Sequence, residues 1–328
     1  MSIAEIEERI GAYRPILDAV RSQVARQVIG QSQMVDRLLI GLLCEGHVLL
    51  EGVPGLAKTL TIRCLSDALQ VDFRRIQFTP DLLPADVIGT QIYSPSSGSF
   101  TTHQGPIFSN IVLADEINRA PAKVQSALLE AMAERQVSIG GKTHGLPDPF
   151  LVLATQNPLE QEGTYPLSEA QADRFLLKVR VAYPTREEER RILDMKNEPQ
   201  THEIEAVTSP EDLRACKDAL LSLRMEPLLL DYIVDLVQAT REPAEKGLGP
   251  DLDRWIEFGA SPRASIGLAA AARAHAFLRG RGFVTPDDVR AMAPDVLRHR
   301  LMLTYEAEAE GLDVDQVVQN ILHRLPTP

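Results

Sequence analysis

The strongest constraint on the fold is an alternation. Short apolar runs over residues 47–50, 71–77, 111–114, 150–155 and 175–181 are separated by stretches of helical periodicity, 59–69 and 120–134 among them. A strand with one wet face alternates apolar and polar residues, whereas a strand covered on both faces reads as an unbroken apolar run. Runs of this kind with helices between them predict an α/β domain whose parallel sheet is sandwiched by helices, over roughly residues 28–184. Asn118 is the expected cap of the helix that begins at 120.

On either side the pattern differs. Ile3, Ile6, Ile10, Tyr13, Leu17, Val20 and Val24 recur at helical spacing, but Gly11 and Pro15 break the stripe into two N-terminal helices over 1–27. Residues 88–108, rich in Gly, Ser, Thr and Pro, and 136–149, with Val137, Ile139 and Gly140-Gly141, read as projecting hairpins or loops without core roles. After Pro184 the strands stop. A charged helix and connector fill 185–209, and the remainder, 210–328, reads as an all-helical second domain. Its helix starts are marked by Ser209-Pro210, Ser261-Pro262 and Thr285-Pro286, since proline suits a first helical turn. Ile266, Ala270, Ala274 and Phe277 are expected to share the buried face of the helix begun at Pro262.

Charge and cysteine content narrow the function. Acidic residues number 46 against 34 basic ones, a net charge of −12, which disfavours a surface built to grip nucleic acid. Three cysteines without paired spacing argue against a disulfide framework or a zinc site. The longest apolar stretch is interrupted by Glu45 and His47, and the N-terminal segment is acidic where a signal peptide is basic, so a cytoplasmic chain without membrane insertion is expected.

The chemistry concentrates at strand ends. Gly52-Val53-Pro54-Gly55-Leu56-Ala57-Lys58-Thr59 follows the first apolar run and precedes a helical stretch, the context a phosphate-binding loop requires. Glycines let backbone N–H groups turn toward an anion, and the helix N-terminus adds partial positive charge. Lys58 would reach the outer phosphates and the Thr59 hydroxyl would ligate magnesium. Ala57 stands where the general pattern has glycine. The third run ends in Asp115-Glu116, where Asp115 could hold magnesium through water and Glu116 could polarise an attacking water. Asn157 ends the fourth run and is suited to a γ-phosphate or that water. Arg174 precedes the last run and Arg263 opens a helix of the second domain; each is also explicable as an ordinary arginine near a helix terminus. Gly-x-Gly-x-x-Gly, His-Glu-x-x-His and Gly-x-Ser-x-Gly are all absent from the sequence, so the dinucleotide fold, zinc peptidases and serine hydrolases lack their signatures.

In this order the motifs resemble those of the AAA+ ATPases, and within them the MoxR family. The resemblance runs from Val28-Ile29-Gly30-Gln31 to Gly282-Phe283-Val284-Thr285-Pro286 and is most specific in Gly52 to Thr59, in Ala114-Asp115-Glu116-Ile117-Asn118-Arg119-Ala120 and in Ala154-Thr155-Gln156-Asn157-Pro158. It implies a P-loop fold followed by a smaller helical lid, with ATP and magnesium as cofactors. Gly52 through Leu60, together with Val28, Ile29 and Gly30, would bind nucleotide; Lys58 and Thr59 would be Walker A residues and Asp115 and Glu116 Walker B. Asn157 would be sensor 1, Arg174 an arginine finger and Arg263 sensor 2, with Arg119 a further interface candidate. Residues 88–108 would be an insert in the second helix and 136–149 the hairpin before sensor 1. A hexameric ring, a protein client and a partner bearing a von Willebrand factor A domain are also implied. Two other readings stay open: an ATP-binding scaffold with little turnover, and the motor subunit of a metal-chelatase-like complex.

Overall fold

The computed structural model describes residues 3–96, 98–159, 163–197 and 203–328. Met1, Ser2, Ser97 of the expected insert and residues 198–202 of the expected connector lie outside the described residues. The chain divides into two compact units, one of Met1–Pro15, Leu176–Lys178 and Arg214–Pro328, the other of Ile16–Phe175 and Val179–Leu213. The N-terminal helices, α1 (Ile3–Gly11) and α2 (Arg14–Ala25), expected as a segment of their own, are thus divided between the units near Pro15.

The α/β unit continues through α3 (Ser32–Leu43), β1 (Val48–Glu51), α4 (Lys58–Ala68), β2 (Phe73–Gln77), α5 (Pro84–Ile88), the hairpin of β3 (Gly89–Ser94) and β4 (Ser99–Gln104), and β5 (Ile111–Asp115). It then runs through α6 (Ala122–Glu134), a second hairpin of β6 (Gln136–Ile139) and β7 (Lys142–Gly145), β8 (Leu151–Gln156), α7 (Glu169–Ala172), β9 (Leu177–Arg180), whose first two residues are counted with the other unit, and α8 (Arg186–Asn197). Five strands form one sheet in the order β2-β5-β8-β1-β9. The pairs β2–β5, β5–β8 and β1–β8 are parallel, with Leu113 opposite Leu153 and Leu49 opposite Ala154. Every residue from Ile111 to Ala114 and from Leu151 to Ala154 is buried, so both faces are covered, as the unbroken apolar runs predict. Val112, Ala114, Val152 and Ala154 cluster with Val124, Leu128 and Met132 of α6.

Two local expectations are corrected. Asn118 does not cap α6. The backbone reverses after β5 through Glu116 at φ 57°, residues Ile117–Arg119 form a single 3-10 turn, and the helix starts only at Ala122 behind Pro121. The 136–149 hairpin is not free of the core either, because Val137 and Ile139 of β6 are buried in the same cluster as α6. The 88–108 hairpin follows one helical turn, α5, and exposes Ile92, Tyr93 and Phe100.

In the other unit the chain proceeds through α9 (Pro210–Leu221), α10 (Pro227–Ala239), α11 (Pro250–Trp255), β10 (Ile256–Phe258), α12 (Pro262–Leu278), α13 (Pro286–Leu297), β11 (Met302–Leu303), α14 (Tyr305–Ala309) and α15 (Val314–Arg324). It is helical apart from the antiparallel ribbon β10–β11, which the sequence reading lacked. The caps are as expected at Ser261, whose Oγ accepts the Arg263 amide, and at Thr285, boxed with Asp288. The buried face of α12 includes Ala274 and Phe277, as expected, but not Ile266. Ile266 is 72% exposed, and Ala264, Gly267, Leu268 and Ala271 face inward, allowing α12 to approach α13 closely. Among the described residues no helix is long and apolar enough to cross a membrane.

Candidate nucleotide site

The loop between β1 and α4 is anchored at its root. Gly52 N–H donates to Gln156 O at 3.3 Å, Val181 N–H donates to Glu51 O at 2.8 Å, and a side chain on Gly52 would press against Val181 at 3.1 Å. Beyond the root the backbone turns left-handed twice, at Gly55 (φ 89°) and Ala57 (φ 57°). Alternating handedness of this kind is the backbone form of an anion nest, and it delivers the chain to the N-terminus of α4. Ala57 therefore occupies a glycine-type conformation with the smallest side chain that can follow glycine there.

A cavity of about 440 Å³ opens over this loop, lined by Pro54, Gly55, Leu56, Ala57, Lys58, Thr59, Leu60, Arg75, Asp115, Glu116, Thr155 and Asn157. Strand order explains the convergence. With β5 and β8 adjacent and parallel, their polar ends emerge side by side next to β1 and its loop. Lys58 Nζ donates to the carbonyls of Gly52 and Val53, the latter at 3.2 Å. Burial lowers its pKa from the ordinary lysine value, while the charges of Asp115 and Glu116 oppose that shift. Asp115 Oδ1 accepts the Thr155 hydroxyl at 2.6 Å, and Thr155 Oγ1 accepts the Glu116 amide at 2.8 Å. Asp115 Oδ2 accepts Arg75 through Nε at 2.9 Å and Nη2 at 2.6 Å. Glu116 Oε2 accepts Gln77 Nε2 at 2.7 Å and Arg119 Nη1 at 3.0 Å. Asn157 is buried, its Oδ1 accepting the Leu159 amide at 3.2 Å.

The fit to a nucleotide and its cation is good on chemical grounds. A cradle of left-handed backbone, an ammonium held by carbonyls that a phosphate oxygen could replace, a threonine hydroxyl and a carboxylate share one rim. Thr59 and Asp115 are the residues that would hold the metal, and Gly55 through Thr59 those that would hold phosphate.

Not every expected site residue joins this rim. Gly52 and Val53 contribute carbonyls to Lys58 rather than wall. Val28, Ile29 and Gly30 line a separate cavity of about 420 Å³ with Arg21, Gln31, Asp36, Glu188 and Arg191. Gly30 lies against Glu188 and Pro184, which draws that segment toward α8. Arg174 is exposed, and its Nη1 donates to Leu129 O at 2.7 Å. Arg263 belongs to the helical unit, at the start of α12. Conversely, sequence reasoning missed Arg75, Gln77 and the role of Thr155. The polar interruptions of the 71–77 run were the available signal.

The fold and the rim define the class: a P-loop ATPase of the AAA type, with a parallel sheet followed by a helical unit. The ATPase family associated with various cellular activities (AAA) matches residues 47–177, and the AAA lid domain matches residues 253–321. The chain belongs to the MoxR family of these ATPases. It is 50% identical to the chaperone MoxR1 of Mycobacterium tuberculosis, covering 98% of this chain and 85% of that one. Identity to protein MoxR of Methylorubrum extorquens is 31%, covering 93% of each chain. A crystal structure from Cytophaga hutchinsonii is similar at 47% identity and a TM-score of 0.92, covering 100% of this chain and 99% of that one.

Proposed function

We propose that the chain hydrolyses ATP with magnesium, in a ring of copies, and couples turnover to chaperone-like remodelling of a protein client. The observation that carries this reading is the single rim on which Lys58, Thr59, Asp115, Glu116 and Asn157 meet. The cation supplies charge neutralisation of the outer phosphates and a fixed geometry for them. Lys58 exchanges its loop carbonyls for phosphate oxygens, Glu116 accepts a proton from the attacking water, and Asn157 orients that water. Thr155 keeps Asp115 aimed at the rim.

Ring formation is favoured by Arg174, which is exposed and absent from the cavity wall among the described residues. An arginine supplied from a neighbouring copy raises phosphoryl-transfer rates by on the order of 10³–10⁵. Arg263, at the first turn of α12, is proposed as sensor 2. The exposed Ile92, Tyr93 and Phe100 of the β3–β4 hairpin form the surface proposed to meet a client. MoxR1 of M. tuberculosis carries the name chaperone, and that role is proposed here for this chain. A von Willebrand factor A domain protein is the proposed partner, from the family resemblance.

Steady-state ATP hydrolysis by Glu116→Gln and Lys58→Ala tests the reading. Both are expected to lose turnover by at least about 100-fold, the range of a lost charge-stabilising or proton-transfer group. Wild-type turnover in both would end it. Mixing Arg174→Ala with Glu116→Gln is expected to restore part of the activity, because some interfaces then combine an intact base with an intact finger.

A further inference from the structure

We propose that Arg75 is the internal counter-ion of Asp115, a positioning residue that yields the carboxylate to a cation and, in withdrawing, loosens the hold on Glu116. This rests on the reading of Asp115 as a carboxylate of the metal site.

The register of the sheet produces the pairing. Gln77 of β2 lies opposite Asp115 of β5, and Arg75 lies opposite Leu113. Side chains two residues apart share a face, so Arg75 and Gln77 both stand on the side toward which Asp115 points. The arginine reaches forward along the strand and places Nε and Nη2 on the same oxygen, Oδ2, at 2.9 and 2.6 Å. Thr155 holds the other oxygen. Both oxygens of Asp115 are therefore committed, one to a fixed hydroxyl and one to a cation on a flexible stem. The Arg75 side chain is 48% exposed and that of Asp115 14%, so the arginine is the partner free to leave.

A divalent cation, bound directly or through one of its waters, and a two-pronged guanidinium compete for Oδ2. Arg75 already occupies it through two nitrogens, and like charges a few ångströms apart repel strongly beside a partly desolvated carboxylate. Occupancy by one therefore disfavours the other.

The consequence reaches Glu116 through one amide. Arg75 Nη2 also donates to Gln77 Oε1 at 2.6 Å, and Gln77 Nε2 donates to Glu116 Oε2 at 2.7 Å. An amide has one accepting and one donating end. Acceptance from Arg75 commits the donating end to Glu116. Once Arg75 leaves, Gln77 is no longer oriented, and Glu116 keeps only Arg119 of these two side-chain donors.

The test is a magnesium titration of binding, not of turnover, on the full chain with a fluorescent ATP analogue. Arg75→Met is expected to lower the magnesium concentration at half-maximal tight binding by about three- to tenfold, the range of one half-exposed ion pair. Each midpoint is read against that variant's own affinity in EDTA, and Arg75→Lys, which keeps the charge without the fork, should fall between. An unmoved midpoint in Arg75→Met overturns the proposal. So does an equal loss of affinity with and without magnesium, which would make Arg75 a phosphate contact. Asp115→Asn separates the two levels of argument. If it leaves the titration unchanged, the metal-site reading of Asp115 fails; if it shifts the titration and Arg75→Met does not, the counter-ion proposal alone fails.

Discussion

The Thr155 hydroxyl donates to Asp115 Oδ1 at 2.6 Å from the strand beside it. It also accepts the Glu116 amide at 2.8 Å, so one hydroxyl fixes both the direction of the aspartate and the backbone of the glutamate that follows. Thr155→Val keeps the shape and removes both bonds, leaving the partly buried Glu116 N–H without its acceptor. Turnover is expected to fall, with a stability loss of about 1–3 kcal/mol, while Thr155→Ser retains most of both. ATPase assays and urea unfolding check this.

At Ala57 the left-handed backbone makes an opposite pair of expectations. A Cβ at φ 57° is strained by roughly 1 kcal/mol, and glycine would relieve this but lose about as much through chain entropy. Ala57→Gly is therefore expected to fold and bind nucleotide much as the parent does. Ala57→Val adds a branched side chain to a conformation it avoids, and should weaken nucleotide binding by more than about tenfold, the equivalent of roughly 1.4 kcal/mol. Nucleotide titration of the two variants distinguishes them.

Acid sensitivity is expected at His47. Its ring is buried between β8 and α6, with Nδ1 accepting the Val152 amide at 2.9 Å and Nε2 placed 3.1 Å from Met132 O. Burial lowers its pKa from 6.5 to about 4; the Met132 carbonyl opposes this and Arg135 adds to it. The unfolded chain therefore takes up a proton between these values while the folded chain does not. Stability is retained above pH 6.5 and falls as pH drops toward 4, by roughly 3 kcal/mol in all. Unfolding midpoints between pH 7 and 4 should fall less steeply in His47→Gln than in the parent.

Asp288 anchors the helical unit. Its side chain is fully buried and accepts His275 Nδ1 at 2.7 Å, Arg281 and the Thr285 amide at 2.8 Å. Burial alone would raise its pKa, but these hydrogen bonds hold the carboxyl well below the usual range, so it stays charged. Asp288→Ala leaves Arg281 and His275 without their shared partner and should cost about 3–5 kcal/mol, read by thermal unfolding.

What the sequence made legible was whatever is encoded locally. A buried strand announces itself by its run, a phosphate loop by its glycines and lysine, and a helix start by Ser261 or Thr285. Arg75 and Gln77 were illegible because their meaning depends on β2 pairing with β5, a contact between distant segments. Read along the chain they only interrupt an apolar run. Ile266 departs for a different reason: helical spacing fixes which residues share a face but not which face packs, and α12 turns Ala264, Gly267 and Ala271 inward together with the expected Ala274 and Phe277. Asn118 misled because a cap signature describes a helix start, and here a left-handed Glu116 postpones that start by a turn.

The β3–β4 hairpin leaves the body through two facing glycines. A Cβ on Gly89 would collide with the backbone at His103 and Gly105, and one on Gly105 with the backbone at Val87 and Gly89. Its tip, by contrast, carries Tyr93 and Phe100 in ring contact at 5.3 Å and open to solvent. Substitution is thus barred at the stem and permitted at the crown. Descendants of this chain can change what the hairpin touches while the direction in which it is held out stays inherited.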